Sequence, residues 1–327
     1  MKKIIAENYK QLILLLIFVL AVSIQLPYYV EAPGGTINLT KKIDKNYDKK
    51  NGSLNMLYVT EYKGNIITVL LSQIFPNWDL NKIEEQQISD ETSKEIYTRN
   101  KAMLDNSIGS AMYVAYKEAG KGIKIKDYEN IVIAVTKDNG FKIGDIILKV
   151  DDTKVEDIET IRNYLKTLNI GDTVNIKIKR NNKEKNIKIK VEEDKLIGIM
   201  LITNYTYETD EELDIAFRNS EGGSSGGLIL ALGIYNKITG DDILKGRNIA
   251  GTGTIDNDGN IGEIDGIKYK IAGAVKDKMD IVLVSPDNYE EAKKIIKDNN
   301  YKIELVKVST FKEALDYLKK YLLFIFY

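Results

Sequence analysis

The run Glu221-Gly222-Gly223-Ser224-Ser225-Gly226-Gly227 leads directly into the apolar stretch Leu228 to Ile234, in a chain with no histidine and no cysteine. Glycines before an apolar run are placed as a tight strand-to-helix turn requires, and such a turn aims backbone N–H groups at a ligand. It can expose a serine and supply an oxyanion hole at the same time. A serine hydroxyl is a poor nucleophile until a base removes its proton. Without imidazole a Ser-His-Asp triad is excluded, and thiolate zinc sites, cysteine-protease chemistry and His-Glu-x-x-His metal sites are excluded with it. The remaining base for an activated serine is a lysine amine. Two other readings of the same residues stand beside this one. Gly/Ser-rich sequence also serves as a flexible linker, although linkers are usually flanked by polar residues rather than by Leu228-Ile229-Leu230-Ala231-Leu232. A phosphate-cradling loop would use the same geometry, but no Gly-x-x-x-x-Gly-Lys-Ser/Thr occurs, which argues against ATP hydrolysis. The residues call for no cofactor and no metal.

The elements that must position this run alternate between strand and helix patterns. In the last third, strands are expected at Ile197 to Asn204, Ile249 to Thr254 and Ile281 to Val284. Helices are expected at Ser225 to Ile238, Ile267 to Ala274, Tyr289 to Asp298 and Phe311 to Tyr321, an α/β or α+β layer arrangement. Between Ile131 and Val191 the texture is β-rich, with a helix from about Ile158 to Leu168 and two alternating strands, Val174 to Lys179 and Asn186 to Val191, joined at Asn181-Asn182. Further upstream, Leu54 to Thr60 alternates like a strand, and Ile66 to Ile74 reads as a short apolar helix or strand. Lys41 to Asn51 is a charged loop, and Pro76 to Glu91 is polar and irregular around the only tryptophan, Trp78. Ser93 to Glu118 is helical in pattern, with Ile96, Met103, Ile108, Met112 and Ala115 facing inward. The apolar end, Leu322 to Tyr327, is expected to pack on the fold, with a membrane contact as the alternative.

At 327 residues the chain holds roughly two domains. Its 43% apolar and 29% charged residues fit a globular protein, and 47 basic against 48 acidic side chains exert no general pull toward nucleic acid. Stability cannot depend on disulfides. At the N-terminus, Lys2, Lys3 and Lys10 precede the uncharged stretch Gln11 to Val30, long enough as a helix to span about 30 Å of hydrocarbon. Pro27, Tyr28 and Tyr29 would sit at the far interface, and the positive-inside rule would leave everything after Glu31 outside. The sequence thus predicts a single-pass cell-membrane protein with a cytoplasmic N-terminus. A cleaved signal peptide, with Ala21-Val22-Ser23 as its cleavage site, is the competing reading.

Two family resemblances refine this organisation. The order of elements between Ile131 and Val191, together with the run Gly144-Asp145-Ile146-Ile147-Leu148-Lys149-Val150, resembles a PDZ domain. That resemblance implies a module that takes an extended peptide as an added strand. Gly223-Ser224-Ser225-Gly226-Gly227 resembles the Gly-Pro-Ser-Ala-Gly motif of Lon-type serine proteases, Ala250 to Ile255 resembles their threonine-glycine strand, and Gly259 to Ala274 resembles their lysine segment. Ser224 stands where the family has proline and Gly226 where it has alanine. Three motifs in family order, with the anchor and the PDZ-like module, are similar to the membrane-anchored, extracytoplasmic Lon-like proteases of bacteria. The resemblance implies Ser225 as nucleophile, Lys270 as general base, Thr252 beside that lysine, and oxyanion donors from the backbone at Ser224 and Ser225. Burial against Ile267, Ile271 and Ala274 would lower the amine's pKa, and family spacing selects Lys270 over Lys268. Asn106 to Tyr116 resembles a helix that Lon-type domains place before the nucleophile.

The expected fold class is α+β: an N-terminal transmembrane helix, a PDZ-like β-rich module and a Lon-type α/β proteolytic domain. Its expected divisions are a cytoplasmic tail 1–10, an anchor 11–30, an N-terminal segment 31–122 completing the protease fold, a PDZ-like domain 123–195 and a Lon-type domain 196–327. The expected partners are a peptide or protein substrate and the membrane, with no nucleic acid, and homo-oligomerisation is left open. The expected function is ATP-independent serine endopeptidase; the alternative is an anchored peptide-binding scaffold with an inactive protease-like domain. Ser309-Thr310-Phe311-Lys312 imitates a Ser-x-x-Lys motif, but Thr310 with Glu313 reads as a helix cap instead.

Overall fold

The computed structural model describes residues 2–43, 52–82 and 91–320. The first third contains helix α1 (Lys2–Ser23), strand β1 (Gln25–Asn38), helix α2 (Leu39–Ile43), β2 (Ser53–Asn65), α3 (Ile66–Ser72) and β3 (Asp79–Lys82). Helix α4 (Ser93–Glu118) leads to β4 (Ile123–Val135), β5 (Ile146–Val150), β6 (Thr153–Lys154), α5 (Ile158–Lys166), β7 (Thr173–Arg180), β8 (Lys183–Lys190) and β9 (Ile199–Thr209). The last third holds α6 (Gly227–Thr239), β10 (Asn248–Gly251), β11 (Thr254–Ile255), β12 (Ile261–Gly262), α7 (Ile267–Lys276), β13 (Ile281–Val284), α8 (Pro286–Asp298), β14 (Glu304–Lys307) and α9 (Phe311–Lys320).

One mixed sheet has the order β14-β13-β10-β2-β1-β3. Its β14, β13, β10 and β2 run parallel, whereas β1 pairs antiparallel with both β2 and β3. Strands from the beginning of the chain therefore lie in one sheet with strands from its end. Helix α6 is apolar all round and buried along most of its length, as a helix in the middle of a core must be. It packs between the sheet, through Leu54 and Met56, and α4, through Ala111, Val114 and Ala115. On the opposite face, Ile267, Ile271 and Ala274 of α7 pack on Leu57, Ala250 and Val282. The second sheet, β8-β7-β5-β4-β9, is antiparallel and encloses its own core around Val132, Val150, Ile161 and Ile176. Glu313 accepts from the Ser309 amide while Thr310 caps the Glu313 amide, so Ser309 to Lys312 starts α9.

The N-terminal stretch corrects the expectation of a transmembrane helix and, with it, of a single-pass membrane location. Among the described residues no helix is long and apolar enough to cross a membrane. The uncharged stretch divides: α1 ends at Ser23 and β1 begins at Gln25. Its uncharged helical part, Gln11 to Ser23, is about 20 Å long at 1.5 Å per residue, short of the roughly 30 Å of a bilayer core. Tyr29, expected at a lipid interface, and Val30, the last residue of the expected span, are buried inside β1. The apolar end Leu322 to Tyr327 lies outside the described residues, as does most of the charged loop Lys41 to Asn51.

Candidate active site

The glycine–serine run forms the turn into α6. Gly226 caps that helix without a side-chain hydrogen bond. A Cβ on Gly227 would come within 2.8 Å of the Ile255 backbone nitrogen, so only glycine lets the turn lie this close to β11. The turn is tied down from several sides. The Gly223 amide donates to the Asn100 carbonyl at 2.9 Å, and Ser107 Oγ donates to the Ser224 carbonyl at 3.2 Å, both bonds linking the run to α4. The Ser225 carbonyl accepts from the Gly253 amide at 2.9 Å and from Thr252 Oγ1 at 3.1 Å. Among the described residues, the backbone N–H groups of Ser224, Ser225 and Gly226 donate to no acceptor. They lie at the N-terminal end of a 13-residue helix, where the helix dipole favours developing negative charge.

The two serines face different spaces. Ser225 lines a cleft of about 960 Å³ together with Lys270, Met56 to Glu61 of β2, and Arg218, Ser220 and Glu221. Ser224 lines a separate cavity of about 180 Å³ with Met103, Asn106, Ser107, Ile202, Thr254 and Ile255.

The two lysines of α7 differ as sharply. Lys268 Nζ lies 2.7 and 3.0 Å from the two oxygens of Asp79, which also accepts from the Tyr269 hydroxyl. Lys270 is only 4% exposed and has no hydrogen-bond or ion-pair partner among the described residues. Burial pulls its amine from 10.5 down to about 8, and attraction to Asp265 opposes this only in part. Helix α7 is held at both ends: Asp79 secures its first turn, and Asp277 just beyond its last turn accepts from the amide and hydroxyl of Thr36 at 2.7 and 2.9 Å.

The structure brings Ser225 and Lys270 into one cleft without a direct hydrogen bond between them. Thr252, which the family resemblance places beside the lysine, is fully buried, and its hydroxyl donates to the Ser225 carbonyl. Sequence reasoning did not single out Asn100 or Ser107 as supports of the turn, Asp79 as the partner that engages Lys268, or β2 as a wall of the cleft. Only the helix pattern around Ser107 offered a signal for any of these; no local pattern marks the others.

Compared with known families, residues 119–191 match the PDZ domain, and residues 218–320 match the Lon protease (S16) C-terminal proteolytic domain. The chain thus carries a PDZ-like segment followed by a segment like the Lon C-terminal proteolytic domain. A Lon protease from Neorickettsia sennetsu is 32% identical over 98 residues, covering 30% of this chain and 12% of that protein. The serine protease Do-like HtrA of Lactobacillus helveticus is 45% identical over 53 residues, covering 16% of this chain and 13% of that protein. The chain thus spans only about an eighth of each of these curated relatives. Among solved structures, the PDZ domain of an SdrC-like protein from Listeria monocytogenes is 25% identical, with a TM-score of 0.22, covering 24% of this chain and 93% of that one.

Proposed function

We propose that this chain is a serine endopeptidase with a Ser225–Lys270 dyad, acting on peptides or proteins without ATP hydrolysis of its own. The observation that carries the reading is Lys270: a buried amine with no hydrogen-bond or ion-pair partner among the described residues, poised near pH 8, in the same cleft as Ser225. A lysine in solution is almost fully protonated at neutral pH, whereas one poised near 8 offers an appreciable fraction of free base. Lys270 takes the proton from Ser225 Oγ as that oxygen attacks the scissile carbonyl, forming a tetrahedral intermediate. The open amides of Ser224 and Ser225 stabilise its oxyanion. Lys270 then delivers the proton to the leaving amine, and water hydrolyses the acyl-enzyme with the same amine as base.

The PDZ domain recruits or gates. Among the described residues strand β9 pairs only with β4, so its outer edge near α5 is available for an added peptide strand. Helix α4 links that strand to the nucleophile turn: Asn106 donates to the Thr203 carbonyl at 2.9 Å, and Asn204 donates to the Ala102 carbonyl at 3.0 Å.

Fluorophosphonate labelling and peptide cleavage by the full chain, beside Ser225→Ala and Lys270→Ala, test the dyad. Labelling is expected on Ser225 in the wild type alone. Equal activity in all three proteins would refute the dyad, and inactivity of the wild type toward probe and peptides would favour a peptide-binding scaffold.

A further inference from the structure

One wall of the cleft is an incomplete sheet edge. Strand β10 accompanies β2 only as far as Gly251, which lies opposite Met56. Past that point β2 keeps β1 on one side but, among the described residues, has no strand on the other. Alternate side chains of a strand point to opposite faces. Leu57 packs with Ile267 and Ile271 of α7, and Val59 approaches Gly266 at the start of that helix. Glu61 therefore lies on the face that carries α7, at the end of the lining contributed by β2.

Glu61 stands opposite Glu31 in the β1–β2 register, and Glu31 stands opposite Asp79 in the β1–β3 register. Two carboxylates of this row are engaged: Asp79 by Lys268 and Tyr269, and Glu31 by the Asn81 side-chain amide at 3.1 Å. Glu61 has no hydrogen-bond or ion-pair partner among the described residues. Arg99 attracts it, but that guanidinium is already bound to Glu91 at 2.8 Å. Glu61 is exposed at this edge, yet the protein packed around its carboxyl and, second, repulsion from Glu31 push it above the usual carboxylate range. A cation from outside would relieve both effects. A second side chain short of a partner, the 4% exposed Lys270, marks the same cleft as built to receive a ligand.

We propose that Glu61, backed by Glu31, is a specificity-determining residue: a peptide laid along the free edge of β2 presents a lysine or arginine side chain to it. The cleft then selects substrates with a basic residue close to the scissile bond. The inference rests on this cleft being the peptidase site.

Its test is a set of fluorogenic peptides carrying Lys, Arg, Ala or Glu at each position flanking the scissile bond, cleaved by full-length wild type, Glu61→Gln and Glu61→Lys. At one position the wild type is expected to favour basic over acidic peptides about two- to fivefold in kcat/KM, the scale of an exposed ion pair. That ratio should fall toward one in Glu61→Gln and invert in Glu61→Lys. A second arm measures binding of labelled basic and acidic peptides to Ser225→Ala and to Ser225→Ala/Glu61→Gln by fluorescence anisotropy, so cleavage is not needed. An unchanged ratio in Glu61→Gln, or equal binding of both peptides to Ser225→Ala, would overturn the assignment of Glu61. A wild type that binds basic peptides selectively but cleaves none would instead refute the peptidase reading and leave Glu61 supported.

Discussion

Replacing Lys270 with methionine separates the energetic and chemical consequences of burying an amine. Its pKa lies at about 8 rather than 10.5. At about 1.4 kcal/mol per unit, the protonated amine costs the fold about 3 kcal/mol at neutral pH. The unfolded chain keeps this proton up to about pH 10.5, whereas the folded protein releases it near 8. Between those values the unfolded state binds more protons, so stability rises with pH; below 8 both states are charged and the whole penalty stands. Lys270→Met keeps the side-chain length and removes the charge, but also removes the attraction to Asp265. The variant is therefore expected to be about 1–3 kcal/mol more stable than the wild type at pH 7, with the gap closing toward pH 10.5. Urea unfolding of both proteins from pH 7 to pH 10 measures the gap, and the difference cancels titrations common to the two. The same substitution should abolish fluorophosphonate labelling, while wild-type labelling climbs as pH rises through about 8. A gap that does not change with pH, or a variant less stable than the wild type at pH 7, would refute the burial argument. Wild-type labelling independent of pH across this range would refute Lys270 as the base.

Two further substitutions test the supports of the nucleophile turn. Ser107→Ala removes the hydroxyl that donates to the Ser224 carbonyl, in a side chain only 2% exposed. It should cost about 1 kcal/mol of stability and lower kcat severalfold while KM for a short peptide holds, measured by urea unfolding and steady-state cleavage; an unchanged kcat would show that α4 does not position the turn. Gly226→Ala restores the residue usual in the family, yet its Cβ would fall 2.2 Å from Met56 Sδ. About 1–3 kcal/mol of destabilisation is expected, and pairing it with Met56→Ala should yield a double variant more stable than the sum of the single losses implies; strict additivity would mean that the two residues do not compete for space.

Elements defined by a local pattern were legible in the sequence. Helix α4 starts where Thr92 and Glu95 form a reciprocal capping box, and the apolar run after Gly227 became a buried helix. The inward face of α4 was read less well. Its most buried residues include Ala102, Ser107, Gly109 and Ser110, small or polar side chains that a search for a large apolar stripe passes over. They are buried because α6 covers one side of the helix and β9 another, an arrangement no periodicity within α4 reports. The N-terminal misreading has a related cause. Hydropathy averaged over Gln11 to Val30 cannot register that the backbone changes from helix to strand at Ile24, where the later residues gain a sheet to enter.

The candidate dyad depends on the same kind of long-range information. Lys268 and Lys270 lie two residues apart on one helix, and nothing local distinguishes a base from a surface cation. Asp79, 189 residues before Lys268, makes the distinction by engaging that side chain. Its strand β3 occupies the edge of the sheet whose interior covers α7, so the contact that secures Lys268 also fixes the helix that buries Lys270. Ser224 and Ser225 differ in a similar way: Ser107, 117 residues upstream, holds the Ser224 carbonyl beside the smaller cavity, while Thr252 and Gly253 hold the Ser225 carbonyl at the end of β10. A buried amine without a partner destabilises the fold, and those anchors on either side of the cleft offset that cost. Loosening them should relax Lys270 toward solvent and return its pKa toward that of an ordinary lysine, so the geometry of the cleft and the basicity of its amine are a single property of the fold.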